Sequence, residues 1–137
     1  MALLIDSSVF IGMERRGLRI DDFRRIGPDE PAFMASITAS ELLVGVLRAT
    51  PSPRTTARGE FVERLCRVIP IIPFDLMIAR VHARLWTGLA AAGTPIGPAD
   101  LIIAATALGQ DHAILTDNAR EFRRVSGLVV IEPTWPE

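Results

Sequence analysis

Four acids stand at comparable places beside the apolar runs of this 137-residue chain. Asp6 directly follows a run of three, in Leu4-Ile-Asp-Ser-Ser-Val9, and Asp117 follows another, in Leu115-Thr-Asp-Asn118. Glu41 falls in the first turn of one expected helix, and Asp100 in the first turn of a second, within Ile96-Gly-Pro-Ala-Asp100. Four like charges within ~5–8 Å repel one another, so a shared cluster is costly unless cations neutralise it. Carboxylates near hydroxyls, with no Cys or His in competition, suit a hard, oxygen-bound ion such as Mg²⁺ or Mn²⁺. Such an ion can activate a water and hold the non-bridging oxygens of a phosphodiester, which is the chemistry of metal-assisted hydrolysis.

Each acid also has a plainer reading. Thr38-Ala-Ser-Glu41 has the form of a capping box, with Glu41 reaching back to the Thr38 amide. Asp100, just past Pro98, would suit the positive end of a helix dipole. Asp6 could cap a helix from Val9, and Asp117 or Asn118 a short one with Glu121 completing the box. As a set the acids argue against this, because Ser7, Thr38 and Asn118 can cap without adding charge.

Composition removes most other chemistries. The chain has 15 basic residues, all arginine, and no tyrosine. Without lysine there is no Walker-type phosphate loop and no Schiff-base chemistry. With Cys66, His82 and His112 alone, a Cys/His zinc site is excluded. A phosphoryl-transfer domain with Asp6 as nucleophile would also want a lysine, and the haloacid type an acid at Ser8. The single Cys66 cannot form an internal disulfide, and Met1-Ala-Leu-Leu-Ile5 lacks the charged start of a signal peptide. A cytoplasmic protein without a membrane span is expected.

The elements that must position the acids alternate in type. Strands are expected at Leu3–Ile5, Ala32–Ser36, Ile69–Ile72, Ala113–Thr116 and Leu128–Ile131, the third at or near an edge because of its prolines. Helical spacing or helix signals cover Val9–Arg15, Ile20–Ile26, Thr38–Leu47, Thr55–Val68, Asp75–Ala92, Pro98–Leu108 and Ala119–Val125. Trp86 is assigned to the core, and His82 to a surface or packing role. The alternation predicts one three-layer α/β/α domain over residues 1–137, with a mainly parallel sheet of about five strands. Ligands of open parallel sheets bind at the C-terminal strand edge. Asp6, Glu41 and Asp117 reach that edge as strand-to-helix junctions, and Asp100 does if its helix begins there.

At these residues the chain resembles the PIN-domain ribonucleases, and more closely the VapC-type toxins of bacterial toxin–antitoxin pairs. The matching segments, in order, are Leu4-Ile-Asp-Ser-Ser-Val-Phe-Ile11, Ser36-Ile-Thr-Ala-Ser-Glu-Leu-Leu-Val-Gly45, Gly97-Pro-Ala-Asp-Leu-Ile-Ile-Ala-Ala-Thr-Ala107 and Leu115-Thr-Asp-Asn-Ala-Arg-Glu-Phe122. The ordered set is specific where any one segment is weak. The resemblance implies a PIN-like fold and a Mg²⁺-dependent endoribonuclease, with Mn²⁺ able to substitute. Asp6, Glu41 and Asp100 fall on the family's metal-site acids. The fourth ligand position stays open between Asp117, which is favoured, Glu121 and Asn118, which occupies the place two residues after the threonine and would serve as a neutral ligand or orienting group. Ser7, Thr116 and Asn118 match positions that orient ligands or water.

The resemblance further implies a homodimer, a cognate antitoxin and an RNA substrate. Setting the four acids aside turns the net charge of −1 into +3. Arg15, Arg16, Arg19, Arg24 and Arg25 cluster early, and Arg120, Arg123 and Arg124 follow Asp117. Arginines flanking a metal site would grip backbone phosphates. A mean hydropathy of +0.30 points to apolar surface covered by a partner. The alternative expectation is a non-catalytic PIN-like scaffold that dimerises and binds a protein or RNA.

Overall fold

The computed structural model describes residues 1–137. Its strands are β1 (Leu3–Ile5), β2 (Ala32–Ala35), β3 (Ile71–Ile72), β4 (Ala113–Leu115) and β5 (Val130–Ile131). They form one sheet in the order β3-β2-β1-β4-β5, and every pairing is parallel. The helices are α1 (Ser7–Arg15), α2 (Phe23–Ile26), α3 (Ser36–Arg48), α4 (Pro53–Val68), α5 (Leu76–Ala91), α6 (Pro98–Gly109) and α7 (Ala119–Phe122), with a 3₁₀ turn at Ile20–Asp22.

Side-chain alternation along the strands creates the layers. Leu3, Ile5, Met34, Ala113 and Leu115 turn to one face, where Phe10 and Met13 of α1, Leu42 of α3 and Leu65 of α4 cover them. Leu4, Ala35 and Ile114 turn to the other, against Ile103 and Ala104 of α6 and Phe122 of α7. All residues of β1 and β4 are buried, as strands covered on both faces must be. The expected three-layer α/β/α architecture is the one observed. The proline-flanked β3 occupies an edge, again as expected.

Several boundaries move, each for a local reason. Ser52 caps α4 by accepting from the Thr55 amide, with Pro53 in its first turn, so that helix begins two residues early. Strand β2 runs directly into α3 with Ala35 at the cap position. Thr38 is therefore inside the helix, 0% exposed, and the capping box expected at Thr38–Glu41 does not form. Gly93 follows α5 with a φ of +71°, which glycine adopts without strain. Trp86, expected in the core, is 62% exposed on α5, because the indole lies outside the stripe that packs on α6. His82 lies beside it, edge-on to both Trp86 and Phe74. No helix is long and apolar enough to cross a membrane.

Candidate active site

The sheet register assembles the centre of the site. Leu4 pairs with Ile114 and Ile5 with Leu115, and the Asp6 amide donates to the Leu115 carbonyl at 3.0 Å. One step further along, Asp6 and Thr116 stand side by side at the C-terminal edge. The Thr116 hydroxyl donates to Asp6 Oδ2 at 2.8 Å, and the Ser8 hydroxyl donates to the same oxygen at 2.7 Å. Those hydroxyls are themselves held from outside: the Asp117 amide donates to Ser8 Oγ at 3.1 Å and the Asn118 amide to Thr116 Oγ1 at 2.9 Å. Asp6 is 5% exposed, and its side chain makes no cap bond to α1 although the residue stands at the cap position.

The neighbouring acids arrive from three helices. Glu41 projects from α3, where residual burial and then the Asp6 charge push its pKa upward, although much of the residue is open to solvent. Asp100 projects from the first turn of α6. Its pKa is pushed up to about 7, first by burial, then by a hydrogen bond with Glu121, then by the charges of Asp6, Glu121 and Glu41. A helix N-terminus alone would favour the ionised carboxylate. The shift goes the other way, first because of burial and then because of the neighbouring acids.

The expected site residues separate into two groups. Asp6, Glu41 and Asp100 come together, and Glu121 of α7 joins them through Asp100. The favoured fourth acid, Asp117, is turned elsewhere: the Trp135 indole N–H donates to both its oxygens, at 3.1 and 3.2 Å. The Thr116 hydroxyl holds Asp6. The second hydroxyl is that of Ser8 rather than Ser7, because α1 starts at once after Asp6 and brings residue 8 back over the carboxylate. Asn118 contributes its backbone amide, and its side chain does not cap α7. Ser8 could have been found from its reach back to Asp6. Trp135 had no sequence signal at all.

The donor set fits a hard divalent cation. It is all oxygen, Asp6 keeps Oδ1 free of side-chain hydrogen bonds, and none of the chain's five ion pairs engages Asp6, Glu41, Asp100, Asp117 or Glu121. With so many arginines present, the acids of this cluster nonetheless stay unpaired. As placed, no three of these side chains are spaced to hold a single ion, and Asp100 lies beside Glu121. Beside Glu41 a cleft of about 160 Å³ opens between α1, α3 and α4, floored by Phe10, Leu42 and Val62, with Arg15 and Arg58 also lining it.

Comparison with known proteins agrees with this architecture. The model of the PIN domain matches residues 3–128. Ribonuclease VapC1 of Rickettsia felis is 31% identical over 131 residues, covering 96% of both chains. The tRNA(fMet)-specific endonuclease VapC of Shigella flexneri is 35% identical over 96 residues, covering 69% of this chain and 70% of its own. Among solved structures, VapBC-5 of Mycobacterium tuberculosis, a member of the VapBC family of toxin–antitoxin systems, superposes with a TM-score of 0.75 at 29% identity and covers 96% of each chain. The chain belongs to the PIN domain family, and its relatives there are VapC ribonucleases.

Proposed function

We propose that the protein is a metal-dependent endoribonuclease and the toxin of a toxin–antitoxin pair. The observation that supports this most directly is the unpaired cluster of Asp6, Glu41, Asp100 and Glu121 at the C-terminal edge of a parallel sheet. In this reading Asp6, Glu41 and Asp100 hold Mg²⁺ or Mn²⁺, and Glu121 supplies the fourth carboxylate in place of Asp117. When bound, the ion activates a water for attack on phosphorus and neutralises the phosphodiester oxygens. Ser8 and Thr116 fix one oxygen of Asp6 and so aim the other. Asp100, held toward its protonated form by burial and by the neighbouring acids, would give up its proton on binding and become a ligand. Arg15, beside Glu41 and free of any ion pair, is placed to grip an RNA phosphate.

The relatives' names support RNA as the substrate, and the VapBC structures support a protein antitoxin as the partner. The exposed Trp86, Phe74, Leu76 and Met77 on and before α5 offer an apolar face for the expected homodimer. A cytoplasmic location follows from the same reading. The test is cleavage of a mixed cellular RNA pool by purified, antitoxin-free protein with Mg²⁺, with Mn²⁺ and with EDTA, alongside Asp6→Ala. Discrete fragments that disappear in EDTA and in the variant are expected. Cleavage that is absent under every condition, by folded protein, leaves the non-catalytic scaffold as the better description.

A further inference from the structure

The C-terminal segment after β5 returns across α1 and ends against the edge of the site. Its Thr134 amide donates to the Ile26 carbonyl at 2.8 Å, which fixes the approach. Trp135 then lies on a seat made for it. The Arg16 guanidinium stacks over the ring at 3.9 Å from its centroid, and Arg16 also donates to the Gly12 carbonyl at 3.0 Å. Glycine at position 12 is what permits the approach: a Cβ there would lie 2.6 and 2.7 Å from two ring carbons of Trp135. A glycine inside a helix is less favourable than alanine, so α1 gives up helix stability to admit the indole.

From that seat the indole N–H reaches both oxygens of Asp117. The Asp117 amide holds Ser8 Oγ, the next amide holds Thr116 Oγ1, and both hydroxyls hold Asp6 Oδ2. The turn 116–118 is thus held toward Asp6 by these bonds and at β5 by the Thr116 amide on the Ile131 carbonyl, and Trp135 restrains the side where Asp117 projects. We propose that Trp135 is a positioning residue for the nuclease site. Through Asp117 it latches the turn whose amides orient the two hydroxyls that aim Asp6. Asp117 is then the keeper of the latch rather than a ligand, and the C-terminal strap is a working part of the site. This rests on the carboxylate metal site proposed above.

The experiment measures Mn²⁺ affinity by electron paramagnetic resonance of the free ion, with thermal melting alongside, in Trp135→Phe, Asp117→Ala, the double variant and Asp6→Ala. Phenylalanine keeps a ring on the Gly12–Arg16 seat and loses the N–H, and Asp117→Ala breaks the same bond without disturbing that packing. Direct partners of a ligand are worth about 10–100-fold in affinity, so a partner one bond further out is expected to cost about three- to tenfold. Both single variants should weaken Mn²⁺ binding by that factor with little change in melting temperature, and the double variant should be no weaker than either. Wild-type affinity in Trp135→Phe, with binding lost in Asp6→Ala, overturns the latch and leaves the metal site standing. Losses that multiply in the double variant overturn it as well. Wild-type affinity in Asp6→Ala overturns the metal site and the latch together.

Discussion

At the scale of the residue, Asp100 gives the reading a pH dependence whose sign is fixed. Its pKa is raised to about 7 by burial, by Glu121 and by the charges of Asp6, Glu121 and Glu41. A carboxyl raised in the folded state favours the protonated fold, so its contribution to stability is present in acid and is lost as pH climbs through about 7. Without divalent ions the melting temperature should fall between pH 5.5 and 8. Saturating Mg²⁺ should reverse that fall, and ion affinity should rise over the same interval as Asp100 ionises. Calorimetry at the two pH values, with EDTA and with Mg²⁺, reads both signs. The fourth acid is decided by comparing Glu121→Gln with Asp117→Asn. The first should reduce cleavage by about 100-fold or more and the second by about tenfold or less, as loss of a ligand compares with loss of an indirect support. Equal losses would return Asp117 to the ligand set.

At the scale of the element, α3 shows how a local motif can be overruled. Thr38 and Glu41 have capping-box spacing, yet β2 feeds α3 without a break and buries Thr38 in its first turn, where the hydroxyl has no hydrogen-bond partner. Thr38→Val removes that unpaired group at nearly constant shape. It should stabilise the protein by about 1 kcal/mol in denaturant unfolding, whereas a true cap would lose about as much. The same comparison holds at the other helix starts: Asp6 and Asn118 stand at the cap positions of α1 and α7, and neither makes a side-chain cap bond. Unused caps beside clustered acids agree with the proposed metal site, in which the carboxylates serve a ligand rather than the helix.

At the scale of the whole molecule, both helical layers leave apolar side chains in solvent: Leu47 of α3 is 83% exposed, and on α5, which packs on α6, Trp86 is 62% and Leu76 68% exposed. Below these residues a groove runs between α5 and α6, lined by His82, Leu89, Ile96 and Ile102. Trp86→Glu places a charge on this face without touching the core. If the face joins two copies, size-exclusion chromatography with light scattering should show the wild-type mass halved in the variant, and the rise of melting temperature with protein concentration should vanish. An unchanged mass would move the dimer contact elsewhere.

The sequence by itself determined the alternation of strands and helices, and with it the parallel three-layer sheet, because apolar periodicity and turn chemistry are local properties. It also placed Asp6, Glu41 and Asp100 at junctions, since strand ends can be read from where apolar runs stop. Only the tertiary structure decided which acid joins them. That choice turns on the register of β1 against β4, on the start of α7 that brings Glu121 to Asp100, and on a C-terminal tryptophan that claims Asp117 from 18 residues away. Such long-range choices depend on hydrogen bonds and steric gaps like that at Gly12. Neither leaves a periodic trace in the chain. The same reason explains Trp86: helical spacing says which residues share a stripe, and only packing decides which stripe is covered.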